Sequence, residues 1–122
     1  MLAAGGAEDS TPTVALPEVA DAPALQKALA AAKTPVILDF HASWCGPCRA
    51  LGPQLAKLQQ AYPTSITVLA IDVDAAPDLA RQYGVSSIPH LVLVRDGEAL
   101  RQTVGYRSAA DLAQWAELDA RK

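Results

Sequence analysis

The sequence predicts an α/β fold: a single mixed β-sheet of four to five strands flanked by helices on both faces. Three observations carry that expectation. Two near-continuous apolar runs, "VILDFHA" (Val36–Ala42) and "ITVLAIDV" (Ile66–Val73), are separated by a stretch of helical periodicity, the pattern of parallel strands joined by a crossover helix. Two later strand-forming runs, "HLVLV" and "ALRQTV", meet across "RDGE", where Asp96-Gly97 signals a hairpin. Helical segments precede, separate and follow these strands, so both faces of the sheet can be covered.

Taken in order, residues 1–20 are rich in Ala, Gly, Pro, Thr and acids and read as a flexible lead-in. "TVAL" (Thr13–Leu16) within it is a candidate short edge strand, and the domain proper is expected over 21–122. "PALQKALAAAK" is a helix with Pro23 in its first turn and Leu25 and Leu29 four apart; Thr34-Pro35 ends it. Val36–Ala42 is an interior strand because it is almost wholly apolar. From Cys45 to Tyr62 the period becomes helical, with Leu51, Leu55 and Leu58 on one face. Pro53 falls inside this helix and is expected to kink it, since proline lacks the backbone donor. "APDLARQYG" is a short helix closed by Gly84. "SAADLAQWAEL" is the last helix, begun by Ser108, with Leu112, Trp115 and Ala116 as its core stripe.

Composition narrows the function. The 122 residues fit one domain, and 51% hydrophobic against 19% charged residues describe a chain that folds around a core. A net charge of −3, with the ten basic residues scattered, argues against nucleic acid as a partner. No apolar run reaches the roughly 18 residues of a membrane span. The start, "MLAAGGAEDSTP", lacks a basic segment and a long apolar one, so the expected compartment is the cytoplasm. A signal peptide already removed would place the protein in the periplasm or outside the cell instead.

The chemistry centres on "SWCGPCRALGP" (Ser43–Pro53), which holds the chain's two cysteines, Cys45 and Cys48. A purely structural disulfide here would close a very small loop and remove little entropy from the unfolded chain. A zinc site needs four ligands; His41 and His90 complete the number, but the usual spacing of paired ligand clusters is absent. A redox pair explains more. A strand ends at Ala42 and a helix begins at or just after Cys45, which puts that sulfur at a helix N-terminus, where free amides and the helix dipole favour a thiolate. Cys48, one turn on, is expected to be more enclosed and to act as the resolving thiol, with Gly46 and Pro47 keeping the turn tight.

Asp39 interrupts the apolar strand and shares a strand face with His41. If buried, its carboxyl is pushed up and can accept the proton of the resolving thiol; if near the rim, it is a solvated or amide-bound side chain. The pattern leaves both open.

With these residues in view, the chain resembles the thioredoxin family. "LDFHASWCGPCRALGPQL" is similar to the family's active-site segment, "IDVDAAPDLARQYGVSSIPHLVLVRDGE" to its middle and "VGYRSAADLAQW" to its last helix, so the likeness runs from about Val36 to the end. The resemblance implies the thioredoxin fold, a monomer, and reduction of protein disulfides, with Cys45 as nucleophile, Cys48 as resolving thiol and Asp39 as the buried carboxylate beneath it. It implies that Trp44 flanks the site and that Pro89 is a cis-proline facing the disulfide. The backbone of Ile88 would pair with the client chain, and Gly84 and Gly105 would border the client groove. It implies no bound cofactor beyond the redox-active cysteines and no metal; electrons would come from a flavin-containing, NADPH-dependent thioredoxin reductase, and the partners would be disulfide-containing proteins.

Two departures stand out. His41 occupies a position where the family usually has tryptophan, and Ala70 one where many members have lysine. Protonated, His41 could stabilise the Cys45 thiolate and make the pair a weaker reductant; neutral, it would be a hydrogen-bonded packing residue. His90, after Pro89, is expected at the groove edge, touching clients or simply solvated. Two other functions compete with a general reductase: an exported redox protein with a narrower client, and a binding subunit in which the cysteines are incidental.

Overall fold

A computed structural model describes residues 16–118. Along them run α1 (Ala22–Ala31), β1 (Val36–His41), α2 (Gly46–Ala61), β2 (Thr67–Asp72), α3 (Pro77–Gln82), β3 (His90–Arg95), β4 (Glu98–Val104) and α4 (Ala109–Trp115). The four strands form one mixed sheet in the order β2-β1-β3-β4. β1 lies parallel to β2 and antiparallel to β3, and β4 is antiparallel to β3. The crossover helix α2 and the late hairpin thus produce the mixed sheet that the strand pattern predicts.

Strand alternation sends β1 into two cores. Val36, Leu38 and Phe40 pack with Leu25 of α1 and Leu79 of α3, while Ile37 packs with Leu51, Leu55 and Leu58 of α2 and Leu112 of α4. By the same alternation Asp39 emerges on the face that α2 covers, opposite Leu91 of β3, itself part of the α2-side core. Burying the side chains of both faces is what forces β1 to the centre of the sheet.

Helix ends follow from local chemistry. Asp21 caps α1, its Oδ1 accepting the Ala24 amide at 2.9 Å, and Ser108 caps α4, its Oγ accepting from Asp111 at 3.1 Å. α2 passes through Pro53 without interruption. The hairpin turns at Asp96 and Gly97, whose φ values of 53° and 79° suit a two-residue turn. A register shift between Leu93 and Val94 leaves Leu100 as the extra residue of β4, half exposed.

The candidate edge strand Thr13–Leu16 lies outside the described residues except for Leu16. Pairing occurs slightly later. Ala70 donates to the Pro17 carbonyl and receives its own partner from Val19, both at 2.8 Å, so Glu18 bridges Ala70 in parallel along the outer side of β2. Val19 is buried there. Among the described residues no helix is long and apolar enough to cross a membrane.

Candidate active site

Cys45 and Cys48 are joined as a disulfide, their Cα atoms 5.3 Å apart. Cys45 is the N-cap of α2, with Gly46 and Pro47 as the first two helical residues. Proline costs the helix nothing there, because the amide it lacks would be unpaired anyway. The Cys48 amide donates to Cys45 Sγ at 3.2 Å, the bond a capping oxygen would otherwise accept. In the reduced pair that donor and the helix N-terminus both stabilise negative charge on Cys45 rather than on Cys48. Arg49 braces the loop from below, donating from Nη1 to the Ser43 carbonyl at 2.7 Å.

The expected difference in enclosure does not appear: Cys45 is 5% exposed and Cys48 7%. The disulfide draws both sulfurs into one apolar cluster with Ala42, against which Val73 and Ile88 pack. What distinguishes the two is hydrogen bonding and the helix terminus, not depth.

Asp39 is 5% exposed, and its Oδ1 makes no hydrogen bond among the described residues. Burial pushes its carboxyl up to about 6; the His41 charge opposes that rise and the Glu18 charge adds to it. The solvated alternative for Asp39 is therefore excluded. His41 is at the sheet margin, its side chain 24% exposed, with Nε2 2.9 Å from Glu18 Oε2. Trp44 stands out into solvent at 66% exposure, held by its Nε1–H donating to Asp74 Oδ2 at 2.8 Å.

Beside the disulfide runs an open groove of about 450 Å³ lined by Trp44, Val73, Ala80, Val85, Ser86, Ser87 and Ile88. Of the groove residues expected from sequence, Ile88 is in its wall beside the flanking Trp44, whereas Gly84, Pro89, His90 and Gly105 are not among its lining residues. The Ile88–Pro89 peptide is cis. Gly105, at φ 101°, donates its amide to the Pro89 carbonyl at 2.8 Å, so the start of β3 and the end of β4 are tied at this point. Gly84 takes φ 68° at the end of α3, next to Val85.

His90 requires a correction. It is 7% exposed rather than solvated, because Nε2 meets Gln102 Oε1 at 2.6 Å and the ring stacks edge-on against Phe40, centroids 6.2 Å apart. Its cross-strand neighbours therefore claim the imidazole. Neither histidine is joined to the cysteines, and no cluster of three or more His, Cys, Asp or Glu side chains suited to a metal occurs among the described residues.

Sequence reasoning missed the residues that hold the predicted ones: Glu18 for His41, Asp74 for Trp44 and Gln102 for His90. Asp74 was the most accessible of these, standing two residues past a strand end. Glu18 carried no local signal.

A disulfide at the N-cap of a helix that follows a central strand, with a buried carboxyl on that strand, is the arrangement of a dithiol–disulfide redox protein. The family model for thioredoxin matches residues 17–118, and the chain belongs to the thioredoxin family. The match starts before the likeness visible from Val36 onward and takes in Glu18. The chain is 36% identical over 94 residues to mitochondrial thioredoxin of Mus musculus, an alignment covering 77% of this chain and 57% of that protein's length. It is 40% identical over 85 residues to thioredoxin of Alicyclobacillus acidocaldarius, covering 69% and 81%. The fold superposes on the X-ray structure of Fasciola hepatica thioredoxin with a TM-score of 0.77 at 27% identity, covering 84% of this chain and 97% of that one.

Proposed function

We propose that this protein reduces disulfide bonds in client proteins by dithiol–disulfide exchange. The observation that carries the proposal is the placement of Cys45 as the cap of α2, with the Cys48 amide on its sulfur. The Cys45 thiolate attacks a client disulfide; one client sulfur leaves and the other is held in a mixed disulfide. Asp39, on the α2-facing side of β1, takes the proton of Cys48. The Cys48 thiolate then attacks Cys45 Sγ, the bond from Cys45 to the client breaks, and the client leaves reduced. The Cys45–Cys48 pair itself carries the two electrons, and a flavin-containing, NADPH-dependent thioredoxin reductase restores the dithiol.

The client's backbone is read at Ile88, beside cis-Pro89, and the groove from Trp44 to Val85 receives its side chains. Gly105 keeps the Pro89 carbonyl paired, and Gly84 ends α3 without a side chain at the groove's flank. The proposed compartment is the cytoplasm, where the reductase keeps the dithiol form supplied. We also expect a monomer, since exchange needs the face around Trp44 open to clients.

Trapping tests the scheme. Cys48→Ser should accumulate a mixed disulfide to a model client through Cys45, seen as one added client mass under non-reducing conditions. Cys45→Ser should trap none and should lose turnover with NADPH and reductase. Equal trapping through Cys48 in the Cys45→Ser protein would overturn the assignment of roles, and unimpaired client binding and function with both cysteines replaced would favour a binding subunit.

A further inference from the structure

The Glu18–His41 contact lies on the same side of the sheet as Asp39. Glu18 bridges Ala70, and Ala70 pairs with Asp39, so the three share one row across three neighbouring extended segments with side chains emerging together. His41 is two residues further along β1 on that same face. The methyl of Ala70 is the only side chain between Glu18 and Asp39 in the row, and it leaves the lane open. Through it the Glu18 carboxylate reaches His41 Nε2.

The three groups differ in access to water. Asp39 is buried, its Oδ1 without a partner among the described residues. His41 is intermediate and Glu18 more than half exposed. A buried carboxylate can act as a base only if something compensates its charge. Neighbours in its row supply none: Ala70 and Leu91 are apolar. The titratable groups that act on Asp39 are His41 on its own strand and Glu18 on the segment beyond β2. Facing His41 are Glu18 and, in the paired position of β2, Asp72, whose Oδ1 accepts the Asp74 amide.

We propose that Glu18 and His41 are a positioning pair for the proton transfer at Asp39, with Glu18 holding a protonated His41 imidazole beside Asp39 as its counter-charge. This rests on the reductase mechanism above and extends it to a residue that precedes the first helix. The proton balance is simple. Cys48–SH and the Asp39 carboxylate become the Cys48 thiolate and the Asp39 carboxylic acid, and His41 takes no part in the transfer. Glu18 therefore acts in two opposed ways: directly, its negative charge disfavours the Asp39 carboxylate; through His41, it favours it. The indirect route is the stronger, because His41 is one pleat from Asp39 on the same strand whereas Glu18 is two strand spacings away, about 9–10 Å between backbones.

The opposed signs make the proposal testable. The Asp39 carboxyl carbon is followed by NMR against pH in the oxidised full chain, without client, for the native protein, Glu18→Gln, His41→Gln and the double variant. His41→Gln should move the Asp39 titration upward by on the order of one pH unit. Glu18→Gln should move it upward in the native background, because the ring loses the carboxylate that holds it beside Asp39. In the H41Q background the same change should move it downward, since only the direct repulsion is left. A shift of the same sign in both backgrounds, or no upward shift in His41→Gln, overturns the proposal; His41→Asn repeats that arm with a shorter amide. Single-turnover client reduction should follow, its rising limb moving to higher pH in Glu18→Gln and His41→Gln. A correct titration with no client reduction in the native protein would reject the reductase function and leave the pairing intact, so the two failures are distinguishable.

Discussion

The two ends of β1 solve opposite problems with consecutive residues of one strand. At its start, Val36, Ile37 and Leu38 are apolar, fully packed from both faces and surrounded by the helices. At its end, Asp39 is nearly as buried as they are but carries a carboxyl oxygen without a partner among the described residues, and His41 reaches back to a carboxylate at the margin. The packed end gains stability from every methylene it hides. The polar end gives stability up, since desolvating a carboxyl without a hydrogen bond is unfavourable. A strand used only for structure would continue its apolar run to Phe40 and beyond. The contrast locates the chemistry at the end that folding alone does not explain.

Substitutions should separate the two ends. The largest effect is expected at the packed end: Leu38→Ala, with its side chain fully buried, should cost about 2–5 kcal/mol in denaturant unfolding. The molecules that remain folded should still reduce client at a normal rate. Next comes Asp39→Asn, which should slow the resolution of a preformed mixed disulfide by about 10²-fold, measured by rapid-quench trapping. It should leave the first attack by Cys45 nearly unchanged. If Leu38→Ala harmed the chemistry per folded molecule as much as Asp39→Asn, the division between the ends would fail. The smallest effect is expected at the rim, where Asp74→Ala removes an exposed partner of Trp44. Stability should fall by only about 0.5 kcal/mol, with a rise in KM for a protein client as the sign that Trp44 has lost its orientation.

Much of this was legible in the sequence because it is local. The apolar runs, the Asp96-Gly97 turn and the helical spacing of Leu51, Leu55 and Leu58 each report on neighbours a few residues away, and the strands and helices follow them. The Cys45 cap is also local, since a strand that stops at His41 and a helix that starts at Gly46 leave one place for it. Asp39 was visible as a charge in an apolar run, though only packing shows that it is buried. Glu18 was not visible, because its role depends on a three-residue segment pairing with a strand some fifty residues later. No periodicity marks so short a pairing, and the strand-forming residues just before it point to Thr13–Leu16 instead. His90 was misplaced for a similar reason. Its burial is set by Gln102 on the next strand and by Phe40 four elements earlier, and a histidine beginning an apolar run reads locally as a border residue.

The stability of the oxidised protein as a function of pH tests the contrast between the two ends most directly. Asp39 has a folded-state value raised to about 6, against roughly 4 for an unfolded aspartate. Below pH 4 the carboxyl is protonated in both states and costs nothing extra. As pH rises from 4 to 6 the unfolded chain releases the proton while the folded one retains it, so stability is lost, levelling above 6 after a total of up to about 3 kcal/mol. Asp39→Asn has no proton to hold back. Its stability relative to the native protein should therefore climb between pH 4 and 6 and stay higher at pH 8, while its client reduction is impaired. Two curves that run parallel from pH 4 to 8 would contradict the claim that the end of β1 trades stability for chemistry.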